Sequence, residues 1–279
     1  MVDPKTLISP VLELAHAAGR EIMQIYARDF AVQEKADASP LTEADLRSQR
    51  TILAGLARLT PAIPVLAEES AAVPYHERRD WPEFWLVDPL DGTREFVSRN
   101  PEFTVNIALI RGHRPVLGVV HVPVKSLDYY GVRNGGAEAG SDVPCSFRRE
   151  LGLEPQPIRV CTPARRPLRV VGSKSHRGDS LDKLLPLLGE HEMVPVGSSL
   201  KQCLVAEGSA DFYPRLGPTM EWDTAAAQAV LECAGGRVID LEGRDLLYNT
   251  REGLTNPHFL AFADTGIDWL GYVRAARAK

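Results

Sequence analysis

The feature that most limits what this chain can fold into is an unbroken apolar run that ends on acids. Phe84-Trp85-Leu86-Val87 leads directly into Asp88-Pro89-Leu90-Asp91-Gly92-Thr93. Apolar residues in succession, without polar alternation, read as a strand covered on both faces. Such a strand needs layers on either side of its sheet. Pro89 fixes the backbone after Asp88, so a turn is expected there, able to aim Asp88 and Asp91 at one point with the Leu90 carbonyl between them. Carboxylates and a carbonyl are hard oxygen ligands, suited to magnesium and not to zinc. Gly92 allows close approach of the backbone to a ligand. Thr93 and the amides after it are expected at a helix N-terminus, where a phosphate is favoured. A plain hairpin turn competes with this reading, because Asp-Gly between apolar strands is a strong hairpin signal. It leaves the acid at the strand exit unexplained.

The rest of the chain supplies the layers. Apolar residues at helical spacing predict helices over 7–26 and 46–59, with Thr42 and Asp45 placed as a capping pair before the second. Strands are expected over 103–110, 116–123 and 126–134, with no helix between them, hence an antiparallel sheet. From 168 onward strands and helices alternate, as in an α/β arrangement, ending with a strand and turn at Arg237–Gly243. We therefore expect an α+β half at 1–165, carrying most of the acids, and an α/β half at 166–279.

The 279 residues carry a net charge of −5, which argues against a nucleic-acid polymer as partner. The longest apolar runs fall short of the roughly 18 residues of a membrane span. The N-terminal stretch reads as an amphipathic helix rather than a signal peptide. The 4 cysteines lack C-x-x-C spacing and are expected as buried free thiols. Together these features predict a cytoplasmic protein, with loose attachment to the cytoplasmic face of the inner membrane left open.

Two further acid groups stand out. Glu68-Glu69 follow the apolar stretch 63–67, where solvated acids are the ordinary outcome. Glu221-Trp222-Asp223 precedes a helix of small residues, where Asp223 could simply cap. Their co-occurrence with the Asp88–Asp91 element is the informative fact. Glu68-Glu69-Ser70, Asp88-Pro89-Leu90-Asp91-Gly92-Thr93 and Trp222-Asp223 with Gly235-Gly236 resemble, in order and spacing, the signature elements of the inositol monophosphatase superfamily of lithium-sensitive, magnesium-dependent phosphatases. The resemblance spans nearly the whole chain. It implies a layered α+β and α/β sandwich of the sugar-phosphatase type. It implies that Glu68, Asp88, Asp91, Asp223 and the Leu90 carbonyl hold two magnesium ions, with a third, weaker one in some members. It also implies that Thr93 and Asp45 orient the attacking water, and that Gly92 and Thr93 touch the phosphate.

Within the superfamily, the segments around 87–110, 171–176 and 196–230 look like the CysQ-type 3′(2′),5′-bisphosphate nucleotidase branch. That likeness implies removal of the 3′-phosphate of adenosine 3′,5′-bisphosphate, or of its sulfated form, in sulfur metabolism. The polar turns after two second-half strands fit a doubly phosphorylated small molecule. Ser173, Lys174 and His176 occupy one, Ser198, Ser199 and Lys201 the other, and Arg215 lies just before Glu221. The metal-site positions Glu68, Leu90, Asp91 and Asp223 are expected to border the substrate as well. The expected chemistry is in-line displacement by water that bound magnesium activates, with no cysteine or serine nucleophile. The alternatives are an inositol monophosphatase or sugar-bisphosphate phosphatase and, outside enzymes, a metal- or nucleotide-binding regulator on the same fold.

Overall fold

A computed structural model of the chain describes residues 2–35, 40–133, 145–172 and 179–278. Two helices open it, α1 (Pro4–Tyr26) and α2 (Glu43–Leu59), with a short antiparallel pair between them, β1 (Val32–Glu34) and β2 (Pro40–Thr42). There follow β3 (Val65–Ala67), α3 (Tyr75–Arg78), β4 (Glu83–Asp91), α4 (Thr93–Val97), β5 (Thr104–Arg111), β6 (Arg114–Val122), β7 (Leu127–Val132), β8 (Ser146–Glu150) and β9 (Gln156–Pro157). Strands β3 to β9 form one 7-stranded sheet in chain order, antiparallel except for the parallel β3–β4 pair.

The apolar runs of β4 to β7 are explained by what covers them. Phe84 and Leu86 face one core, while Trp85 and Val87 face another. Alternate residues therefore point to opposite, equally buried faces. Helices α1 and α2 cover the second face with Leu7, Val11, Ile22, Ile52 and Leu56. Trp85 is fully buried there, and its indole N–H donates to Thr60 Oγ1 at 2.9 Å, which satisfies the one polar atom that burial would strand.

The second half contains β10 (Leu168–Gly172), α5 (Asp179–Leu184), β11 (His191–Pro195), α6 (Leu200–Ala206), β12 (Phe212–Arg215), α7 (Ala225–Cys233), β13 (Arg237–Asp240), β14 (Phe259–Phe262) and α8 (Trp269–Arg277). Its 5-stranded sheet runs β11-β10-β12-β14-β13 and is mixed, since β14 pairs antiparallel with both neighbours. Helices α6 and α7 are sandwiched between the two sheets, and α5 and α8 cover the outer face of the second. The layers are therefore helix, sheet, helix, sheet, helix. The small residues of α7 follow from this position. Gly131 on β7 has no room for a side chain, because a β-carbon there would lie 2.9 Å from the Ala229 carbonyl oxygen. Ala225, Ala226, Ala227 and Ala229 let the helix approach the glycines of β6 and β7 at that range.

Three expectations need correction. The chain does not turn after Asp88: β4 continues to Asp91 through a bulge, with Asp88 opposite Asn106 and Asp91 opposite Thr104. A bulge redirects side chains without ending the ladder, which a purely local reading of Pro89 does not anticipate. Arg237–Asp240 is not the last strand, since β14 and α8 follow it. The cysteines are free, yet only Cys203 is buried; Cys145, Cys161 and Cys233 are half-buried.

Candidate metal centre

The site is assembled from the starts and ends of elements. At the start of α2, Thr42 and Asp45 form the anticipated capping box. One oxygen of Asp45 accepts from the Thr42 amide at 2.8 Å and from its hydroxyl at 2.6 Å. The other accepts from the Thr93 hydroxyl at 3.1 Å. A helix cap thus also reaches α4. Gly92 sits just before that helix with φ +91°, a left-handed conformation that glycine adopts without strain. The Thr93 hydroxyl is also 3.2 Å from the Leu90 carbonyl. Ser48 donates to the Pro89 carbonyl at 2.6 Å and pins the bulge to α2.

The acids converge on this bulge. Ligand oxygens of Asp88, Asp91 and Asp223 lie within 4.8 Å of one another. Burial raises the pKa of Asp88 well above the usual carboxylate range, and the charges of Glu68, Asp91 and Asp223 push it further the same way. Asp223 is pushed up to about 7 by burial and by Asp91. Glu68 is raised by burial and shares a hydrogen bond with Asp88. The Leu90 side chain is buried in the core, which leaves its carbonyl as the part available to the site. Carboxylates gathered at this range out of water are costly unless a cation compensates them. A donor set made only of oxygens fits magnesium.

Sequence reasoning missed a cation that reaches the acids. Lys35, just after β1, donates to Glu68 Oε1 at 2.8 Å and to Glu69 Oε1. Burial works against its charge, and the two carboxylates outweigh that and raise its pKa. A single lysine in a short polar stretch carries no local signal. Glu69 is not simply solvated either, since its side chain is only 8% exposed and pairs with Lys35, while its backbone amide donates to Gln49 Oε1 at 3.0 Å.

Asp223 does not cap α7. Its carboxylate accepts from the Thr219 hydroxyl at 2.6 Å and the Met220 amide at 2.9 Å. It lines, with Asp91, Gly92 and Lys201, a cavity of about 160 Å³. A second cavity of about 400 Å³ adjoins it, and Tyr213 and Arg215 line both. Arg94 lines the larger one, and its side chain has no hydrogen bond or ion pair among the described residues. Lys201 is buried and donates at 2.9 Å to the carbonyl of Ser198, which itself has φ +54°. Arg215 is braced by the carbonyls of Gly217 and Pro218. Ser173, Lys174 and His176 lie outside the described residues.

A model of the inositol monophosphatase family matches residues 3–265. The chain belongs to that family. The 3′(2′),5′-bisphosphate nucleotidase CysQ of Salmonella typhimurium is 47% identical over 255 residues, covering 91% of this chain and 98% of that protein. The Haemophilus influenzae protein of the same name is 39% identical over 264 residues, covering 94% and 95%. Among solved structures, CysQ from Bacteroides thetaiotaomicron superposes with a TM-score of 0.77 at 38% identity, covering 91% of this chain and 96% of that one. An inositol monophosphatase from Thermotoga maritima shares the fold, with a TM-score of 0.73 at 24% identity and coverage of 97% and 96%.

A second group of ligating side chains has a different character. His16 Nε2 lies 2.9 Å from both oxygens of Asp128, and His121 Nδ1 lies 2.8 Å from one of them. Arg149 donates to the same carboxylate at 2.9 and 3.2 Å. The charge of Asp128 is already matched by a guanidinium, so this cluster reads as a polar staple joining α1 to β6, β7 and β8. Among the described residues, no helix is long and apolar enough to cross a membrane.

Proposed function

We propose that the chain is a magnesium-dependent 3′(2′),5′-bisphosphate nucleotidase that removes the 3′-phosphate of adenosine 3′,5′-bisphosphate. The observation that carries this reading is the pairing of two adjoining cavities. The smaller is bordered by the acid cluster and suits a phosphate with its metal. The larger, at about 400 Å³ with Arg94, Arg215 and apolar side chains, has the size and lining of a small-molecule site. A substrate with a scissile phosphate and a second phosphate on a nucleoside uses both. The named activities of the relatives at 39–47% identity support the same substrate class.

Glu68, Asp88, Asp91, Asp223 and the Leu90 carbonyl would hold magnesium, two ions with a weaker third in this reading. When bound, the metal supplies a nucleophilic water near neutral pH and positive charge for the phosphoryl group. Thr93, donating to Asp45, keeps oxygen lone pairs free to accept a hydrogen bond from the attacking water, which orients it. Gly92 and Thr93 meet the scissile phosphate and Arg215, at the wall shared by the two cavities, faces the other; Lys201 borders the substrate from the smaller cavity, the only one of the two that it lines. Ser173, Lys174 and His176 are retained as substrate contacts in this proposal. The halves 1–165 and 166–279 each contribute acids, so the site forms where they meet. The enzyme would act in the cytoplasm within sulfur metabolism.

The test is phosphate release from adenosine 3′,5′-bisphosphate, inositol 1-phosphate and fructose 1,6-bisphosphate, with magnesium and with a chelator. We expect the nucleotide to have the highest kcat/KM and the chelator to stop turnover. A preference for inositol 1-phosphate, or turnover without metal, would refute the reading.

A further inference from the structure

Asp91 is held in place from the other half of the molecule. Its Oδ2 accepts from the hydroxyls of Ser198 and Ser199, each at 2.7 Å, across 107 and 108 residues of chain. No hydrogen bond reaches its Oδ1 among the described residues. The Ser199 hydroxyl also lies 2.5 Å from the Asp223 carbonyl, so one side chain touches an acid residue from each half. Asn106 on β5 donates to Ser199 Oγ at 2.8 Å and lies 3.5 Å from Asp91 Oδ2. The Thr104 hydroxyl lies 2.6 Å from Ser198 Oγ and 3.1 Å from Asn106 Oδ1, so it borders both residues. With the amide reversed, a carbonyl would face the Asp91 carboxylate, which is unfavourable. Asn106 is 1% exposed and Thr104 is fully buried, so neither relation is a solvated surface contact.

We propose that Asn106 and Ser199 are positioning residues for the divalent metal: Asn106 fixes the Ser199 hydroxyl, and Ser199, with Ser198, occupies Oδ2 of Asp91 and presents Oδ1 to the cation. A hydroxyl has a single proton. Because Asn106 fills a lone pair of Ser199, that proton is directed to the acceptors ahead of it, the Asp91 carboxylate and the Asp223 carbonyl. Hydrogen-bond partners of ligating carboxylates orient the ligand and commonly control metal affinity. The proposal rests on the metal-dependent reading above. It adds that the second half closes the site around a ligand of the first, and that a buried asparagine in an apolar strand serves the metal rather than the fold.

The experiment is calorimetric titration of the full chain with manganese(II) without substrate, for the wild type, Ser199→Ala, Asn106→Leu and the double variant. Thermal unfolding of the same samples is recorded. We expect each single variant to bind roughly ten- to hundredfold more weakly. The double variant should bind no more weakly than the worse single one, because Asn106 acts through Ser199. Ser199→Thr, which keeps the hydroxyl, should recover most of the affinity. If Asn106→Leu does not fold, Asn106→Ser takes its place in the cycle. Affinities within twofold of wild type in the variants, or fully additive losses, would overturn the proposal. A wild type that binds no divalent ion would overturn the metal reading itself, and this proposal with it; that result is distinct from intact wild-type binding with unaffected variants.

Discussion

Asp91 is the residue on which most of the site depends. It terminates β4, pairs with Thr104 across the bulge, and accepts two serine hydroxyls from the second half. Asp91→Asn keeps the shape and removes the charge. We expect turnover to be lost with saturating magnesium while circular dichroism stays that of the wild type; near-normal turnover would show that Asp91 is not a ligand. Arg215 offers a second residue-scale test. Its bracing by Gly217 and Pro218 leaves the guanidinium at the wall shared by the two cavities. A charged hydrogen bond to phosphate contributes about 1.5–3 kcal/mol. Arg215→Ala should therefore cost roughly ten- to hundredfold in kcat/KM for the bisphosphate. It should barely affect adenosine 3′-monophosphate. Equal losses on both substrates would assign Arg215 to the scissile site or to the fold. Lys201 differs in kind, because its ammonium already supports the left-handed Ser198.

At the scale of elements, α1 is tied to the first sheet by the His16, His121, Asp128 and Arg149 staple. Gly19 on α1 permits this contact: a β-carbon there would lie 2.6 Å from His121 Nε2. Burial lowers the His121 pKa despite the opposing Asp128 charge, with His16 and Arg149 adding repulsion. Between that lowered value and the ordinary 6.5, the unfolded chain binds a proton on this histidine that the folded protein does not. Stability from His121 is therefore complete above about 6.5 and declines as pH falls below it. Urea unfolding of the wild type and His121→Gln between pH 7.5 and 5.5 should show the larger loss in the wild type. Parallel curves would mean His121 is not buried in its neutral form. The same elements show how far local patterns reach. Helices α1, α2 and α7 and the core strands follow from apolar spacing, with the Thr42–Asp45 box and Gly235 at φ +97° after α7 as their end signals. The bulge in β4 and the pairing of β14 were not legible, because both are set by the neighbouring strand rather than by adjacent residues.

Over the whole molecule, the acid cluster of the proposed metal site would couple metal binding to stability. Asp223, with a folded pKa of about 7 against an ordinary 3.8, holds a proton in the folded protein at pH values where the unfolded chain has lost it. Without metal, its contribution therefore improves as pH falls from about 7 toward 4 and is unfavourable above 7. Metal must displace those protons, so binding strengthens as pH rises. The gain in Tm from a fixed magnesium concentration should be larger at pH 8 than at pH 5.5, and Asp223→Asn should largely abolish it. An equal gain at both pH values would separate metal binding from this cluster.

The acids and the strand that delivers them were determined by the sequence alone. Phe84 to Val87 reads as a doubly covered strand leading into the acids Asp88 and Asp91, with Glu68 after a second apolar stretch and Asp223 ahead of a helix. Those signals are local, since a strand period, a helix cap or a glycine stop is read from residues a few positions apart. The partners of the acids were decided only when the layers packed. Lys35 reaches Glu68 across 33 residues, and Ser199 reaches Asp91 across 108. Asn106 is a polar residue in an apolar strand that the sequence reading did not single out, and its bond to Ser199 depends on where α6 meets the first sheet. Hydrogen bonds between distant side chains carry no periodicity along the chain. They exist because two buried surfaces close on one another, and leaving a polar group between them without a partner is costly.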